Sequence, residues 1–430
     1  MDLKFHGGAK EVGRSCIEVI TGAKNRYILD AGIKLSEHGT EYPTAVSEPE
    51  NIKAAFISHA HLDHTGYLPA LDNQGMKCPI FCTPATKATS RMLLRDAFKI
   101  GRLKHEHLGY QEQNIAKTMD WMRKIRVHEK GSVSDVNFEL MSAGHIPGSV
   151  SVLLETKERE KKRLFYTGDI NTTDTRLLKK AEISYRDIGE IDMLITEATY
   201  GNRDHPNREK QEKEFIDSVT STVDNGGSVI IPVFAEGRAQ EILLLMNRAK
   251  IAGVPIYLDG MSREATRIIL QFPKSTRDSK KLNSAFRKVK QVKGRIQRNK
   301  IVQDQGIFIT TSGMLTGGPV ITYLDALCQD KHNSILLTGY QADHTNGRML
   351  LEQGIVFIDG WKTKVNSYVK HFDFSAHSGR IQLKEMIKKI NPHSIAIQHG
   401  DSKACASLAE WADVMGFKAH VPDINERIRV

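Results

Sequence analysis

Cysteine is scarce in this chain, with five in 430 residues, at positions 16, 78, 82, 328 and 405. Their odd number and scatter exclude a disulfide framework, and Cys78 and Cys82 lack the second close pair of a zinc finger. A reduced cytosolic compartment, hence a cytoplasmic location, is expected. No apolar run is long enough to cross a bilayer, and the opening MDLKFHGGAKEVG has no apolar stretch of the signal-peptide kind. No GxxxxGK[ST] loop occurs, so nothing points to nucleotide hydrolysis. Internal repeats and low-complexity tracts are also missing.

Acidic residues vanish between Asp278 and Asp304, where Lys280, Lys281, Arg287, Lys288, Lys290, Lys293, Arg295, Arg298 and Lys300 supply nine basic ones. A solvated helix surface would account for such a run. Nine charges of one sign, in a chain of net charge +10 and pI near 9.2, lean instead towards contact with a phosphate backbone. The mixed run Lys157 to Arg163 reads as a solvated hairpin tip.

The chain exceeds the usual size of one domain, and its 40% hydrophobic and 26% charged residues suit a globular protein with a sizeable core. Short strand-like runs fill the first part: 16–20, 27–30, 54–57, 151–154, 164–166 and 193–195, interrupted by a helical stretch near 86–103. From about residue 202 strands and helices alternate, which implies a parallel sheet wrapped by helices. A last αβ piece, with a helix near 382–390 and a strand 394–397, closes the chain. The expected division is 1–201 and 371–430 as one domain in two parts, with 202–370 as an insertion.

The chemistry begins in FISHAHLDHTGYLP, residues 56–69, where His59, His61, Asp63 and His64 fall within six positions after an apolar run. Imidazole nitrogens and a carboxylate leaving one strand end suit zinc. Four such residues cannot close two catalytic sites, so further ligands are expected at other strand ends. His145 in SAGHIPGS, Asp169 in YTGD and His399 in IQHGD each follow a strand-like run. Each alone could be a turn residue. Together with the first motif they read as one metal site, with Asp169 able to bridge two ions.

These strings resemble the metallo-β-lactamase fold, an α/β sandwich (αββα) carrying a dinuclear zinc site at one edge. The resemblance implies His59, His61 and His145 on one ion, and Asp63, His64 and His399 on the other, with Asp169 between. Asp30, in ILDAG, would orient ligands. Further strings, TEATYG at 196–201, TSGMLTGGP at 311–319, GYQA at 339–342 and FSAHS at 374–378, resemble the β-CASP nucleases, whose inserted α/β (parallel-sheet, Rossmann-like) domain would be residues 202–370. Within that family the match is to the compact archaeal CPSF-like class, related to RNase J. It implies a ribonuclease acting on single-stranded RNA with two zinc ions, manganese substituting. The expected chemistry is in-line attack by an activated water, leaving a 5′-phosphate and a 3′-hydroxyl. His377 would be the acid, Glu197 its support, and Asp30 and Asp63 the other catalytic residues. Ser375, Ser378 and Arg298 are the candidate substrate and phosphate contacts, although Asp373 beside Ser375 would repel a phosphate. A second copy of the chain is a candidate partner. A small-molecule metallo-hydrolase, such as a thioesterase or lactonase, is the alternative on the same zinc core.

Overall fold

Buried and outward positions alternate along the strand Val136–Ser142, with Val136, Phe138 and Leu140 inward and Asn137 facing solvent. That two-residue period builds a sheet with one face on a core. The computed structural model describes every residue except 37, 38, 184, 186, 187 and 250. Two seven-stranded sheets form. One has the order 427–429, 2–7, 16–20, 26–29, 52–56, 80–82, 122–124; the other runs 418–420, 394–398, 193–197, 163–166, 150–156, 136–142, 130–133.

Their inner faces share one apolar layer, including Leu3, Phe5, Phe56, Phe138, Leu154 and Tyr166. Phe138 meets Phe56 edge-on at 5.0 Å between ring centroids and Phe81 at 4.6 Å. Helices Leu68–Asn73, Pro84–Leu103 and Glu112–Trp121 cover the outer face of the first sheet, and Arg380–Ile390 and Ser402–Val414 cover the second. The result is the four-layer αββα sandwich. The run 157–163 joins two antiparallel strands, as a hairpin should.

Residues 1–174, 179–204 and 376–430 make this unit; 175–178 and 205–375 make a second. The divisions therefore fall after 204 and 375, where 201 and 370 were expected, and four residues of the first stretch belong to the second unit. The second unit holds a six-stranded sheet in the order 290–291, 256–259, 307–310, 229–232, 334–337, 368–371, with every pairing parallel. Apolar clusters cover both faces, one around Phe215, Ile242 and Phe286 and one around Tyr323, Leu324 and Leu350. Its central strands are fully buried runs such as Val229–Pro232, Ile307–Thr310 and Ser334–Leu337, as parallel sheets require.

Candidate metal centre

Every residue singled out for metal chemistry leaves the end of a strand of the sandwich. Ile52–Phe56 runs into Ser58 and His59; His61 then caps the short helix Leu62–Thr65, which carries Asp63 and His64. The loop after Arg26–Leu29 holds that helix in place, through Ala31 N to His64 O at 2.8 Å and Ile33 N to Leu62 O at 2.9 Å. Between them only glycine fits, because a Cβ on Gly32 would lie 1.7 Å from Asp63 O. Asp169 follows Gly168, whose φ of +55° and tight approach to Ser58 again favour glycine. His145 and His399 follow Val136–Ser142 and Ser394–Gln398.

The side chains converge. His59 Nε2 lies 3.1 Å from His61 Nδ1, His145 Nε2 lies 3.3 Å from the same atom, and Asp169 Oδ2 is 3.5 Å from His59 Nε2 and 3.6 Å from His145 Nε2. Ligands of a tetrahedral zinc at its usual bond length stand roughly 3.3 Å apart. Asp169 also reaches the other histidines, with Oδ2 3.4 Å from His64 Nε2 and Oδ1 3.2 Å from His399 Nδ1. Asp63 Oδ2 lies 3.5 Å from His399 Nε2 and 3.9 Å from His64 Nε2. Asp169 thus stands where a bridging carboxylate would stand.

Two observations fit these groups to a metal. His64 Nε2 and Asp169 Oδ1 are buried without a hydrogen-bond partner, although they sit close to other ligand-type atoms. Buried polar atoms left so are rare unless something else satisfies them. Protonation states at four of these residues also suit ligation. Burial, helped by neighbouring imidazoles, holds His59 and His145 well below the usual histidine range, in the neutral form. Burial would raise Asp63 and Asp169, but the surrounding histidines outweigh it and keep both ionised. At His64 and His399 burial is outweighed by these carboxylates, which draw positive charge to this spot.

Asp30 orients the set. It is fully buried; Oδ2 accepts from His64 Nδ1 at 2.7 Å, Ser58 Oγ at 2.6 Å and Tyr166 OH at 2.6 Å, while Oδ1 accepts from Ser58 N at 2.7 Å. This fixes the His64 tautomer and turns Nε2 towards Asp169. Ser58 and Tyr166 were missed by sequence reasoning. The signals were there: Ser58 sits inside the motif itself, and Tyr166 lies three residues before Asp169 on its strand.

Glu197 and His377 join the cluster. His377 Nδ1 lies 2.9 Å from each Glu197 oxygen, and both residues have ligand-type atoms within 4.8 Å of Asp169. Glu197, fully buried, also accepts from Ile170 N at 2.7 Å. Burial works against the charged imidazole of His377, yet Glu197 and Asp169 prevail and lift it to about 9.

The expected substrate contacts fare differently. Ser378 is buried and accepts from Thr172 N at 3.0 Å, so its hydroxyl holds the loop after Asp169 and does not face solvent. Arg298 belongs to the second unit, where its guanidinium is bound by both oxygens of Asp259, at 2.6 and 3.1 Å. That buried ion pair consumes the charge a phosphate would need. Ser375 donates its backbone N to Asp373 at 3.2 Å, and Asp373 lies 3.0 Å from His205 Nδ1, so its carboxylate is engaged on both sides.

Comparison with known proteins agrees with this geometry. Residues 25–228 match the Beta-lactamase superfamily domain, 239–350 the Beta-Casp domain, and 362–422 the Zn-dependent metallo-hydrolase RNA specificity domain. The chain is 41% identical to "Probable RNase MJ4" of Methanocaldococcus jannaschii over 100% of both chains. It is 36% identical to RNase aCSPSF2 of Saccharolobus solfataricus, covering 99% of this chain and 85% of that one, and 34% identical to transcription termination factor FttA of M. jannaschii, covering 100% and 71%. A solved structure from Enterococcus faecalis V583 shares the fold over 99% of each chain, with TM-score 0.61 at 15% identity. The chain belongs to the metallo-β-lactamase/β-CASP ribonuclease family, in its archaeal CPSF-type branch.

Proposed function

We propose that this chain is a metal-dependent ribonuclease that hydrolyses RNA phosphodiester bonds in RNA processing or decay, using two zinc ions. His59, His61 and His145 would hold one ion, Asp63, His64 and His399 the other, with Asp169 shared. Two ions there would supply a nucleophile at neutral pH and neutralise charge on the reacting phosphate. The five cysteines, all free and buried, fit work in a reducing cytoplasm.

The remaining steps fall to the chain's own groups. Asp30 and the Ala376 carbonyl, 3.0 Å from His145 Nδ1, fix the rings of His64 and His145. Glu197 keeps the His377 Nδ1 proton, so the proton to be given away is carried on Nε2. Delivered to the departing 3′ oxygen, it leaves a 3′-hydroxyl and a 5′-phosphate. The observation that carries this reading is the Glu197–His377 pair beside Asp169, because a thioesterase or lactonase core has no need of it.

The test is incubation with RNA labelled at a monophosphorylated or triphosphorylated 5′ end, with zinc, manganese or a chelator. Mononucleotide release assigns 5′–3′ exonuclease action, and discrete internal fragments assign endonuclease action. No cleavage in any metal overturns the ribonuclease reading.

A further inference from the structure

Nine of the chain's ten excess positive charges lie between residues 279 and 303. In the folded second unit this stretch becomes helix Ser279–Lys288, strand Lys290–Gln291 and helix Arg295–Ile301. Among the described residues the strand pairs only with Tyr257–Leu258 and is an edge of the six-stranded sheet; the opposite edge is Tyr368–His371. Five interstrand spacings separate the two edges, ~24 Å.

Folding sorts the stretch by chemistry. Leu282, Ala285 and Phe286 turn inward, and Arg298 is taken up by Asp259, whose Oδ2 also accepts from Tyr323 OH at 2.9 Å. Arg287, Lys288, Lys290, Lys293, Arg295 and Lys300 remain exposed. None of these six has a carboxylate within 4.0 Å among the described residues; Lys281, a turn earlier, is held by Asp278. Lys288 reaches only the Asn247 amide oxygen, at 2.8 Å. Ile296, 91% exposed, stands among the cations as an apolar tip. Six uncompensated cations along one sheet edge, on a chain otherwise close to neutral, make a polyanion track; a merely soluble surface would intersperse both signs.

We propose that this edge is an accessory RNA-binding site, gripping the phosphate backbone through residues that take no part in the His/Asp cluster. It rests on the ribonuclease reading above. Its contacts are sequence-independent and salt-sensitive, and they strengthen with the number of phosphates held.

The test replaces four exposed cations together, Lys288→Gln, Lys290→Gln, Lys293→Gln and Arg295→Gln. A control of equal charge loss, Lys53→Gln, Lys77→Gln, Lys117→Gln and Lys418→Gln, alters exposed positions of the sandwich. Binding of a single-stranded 30-mer is followed across a salt series, and cleavage of a tetranucleotide, which offers the edge few phosphates, is followed in parallel. The expected result for the edge variant is a 30-mer affinity about tenfold lower and a log–log salt slope shallower by about 3. Tetranucleotide cleavage stays unchanged, and the control keeps most of its 30-mer affinity. Unchanged 30-mer affinity and slope, or an equal loss in the control, overturns the accessory site alone. A parent protein that binds no RNA of either length overturns the ribonuclease reading and the site with it.

Discussion

Glu197 offers both carboxylate oxygens to one nitrogen of His377, each at 2.9 Å, from a position with no solvent exposure. The pair lies within the ligand cluster around Asp169. A carboxylate so placed keeps the imidazole protonated and aimed, and that is the requirement for a leaving-group acid.

Removing the acid tests its role. His377→Ala is expected to lower single-turnover cleavage about 10²- to 10⁴-fold with metal content unchanged. Glu197→Gln removes the charge that, against burial, holds the imidazole up at about 9. The His377 proton is then lost at lower pH, and the alkaline limb of the cleavage profile moves down. Full activity of His377→Ala at unchanged metal content would falsify the assignment.

Asp30 stands outside the candidate ligand groups, yet it accepts four hydrogen bonds that fix His64 and the loop at Ser58. Asp30→Asn keeps the shape and loses the charge. Metal affinity should fall about 10- to 100-fold, measured by competition with a chromophoric chelator, while circular dichroism stays the same.

Gly32 lies against the backbone of the motif helix, where any Cβ would meet Asp63 O at 1.7 Å. Gly32→Ala should therefore displace Asp63 and His64, lowering metal stoichiometry and thermal stability together. Gly317→Ala is the comparison, since a Cβ there meets nothing within 4 Å. Equal behaviour of the two variants contradicts the packing argument.

Glu18 is buried and accepts from His6 Nε2 at 3.0 Å and from Arg26 Nε. Burial would raise its carboxyl, but these two partners outweigh burial and hold it at about 2. A carboxyl depressed in the folded state stabilises the fold above its unfolded value of 4.5, and the gain disappears as pH falls from there towards about 2. The loss amounts to about 3 kcal/mol, and Glu18→Gln should flatten the acid side of a urea-denaturation series.

The His/Asp cluster was legible because the first four residues stand within six positions, and the others follow strand-like runs closed by glycine. Glu197 and His377, 180 residues apart, carry no local signal, and only the resemblance to β-CASP strings paired them. Tyr166 and Ser58 escaped notice because their shared partner, Asp30, lies 136 and 28 residues away. In the sequence Arg298 stands as one more candidate phosphate contact of the basic run, because its partner Asp259 lies 39 residues earlier, at the end of another strand. Side-chain partnerships of that range are made by the sheet order, which periodicity does not encode.

The reading of the His/Asp cluster as the holder of the ions that cleave RNA makes one direct demand. It is tested by stripping the protein with a chelator and titrating zinc back while following cleavage of a labelled RNA. Activity is expected to be lost on stripping, to recover completely at two zinc ions per chain, and not to recover in Asp169→Ala with its secondary structure intact. Cleavage that survives metal removal, or full activity in Asp169→Ala, would contradict it.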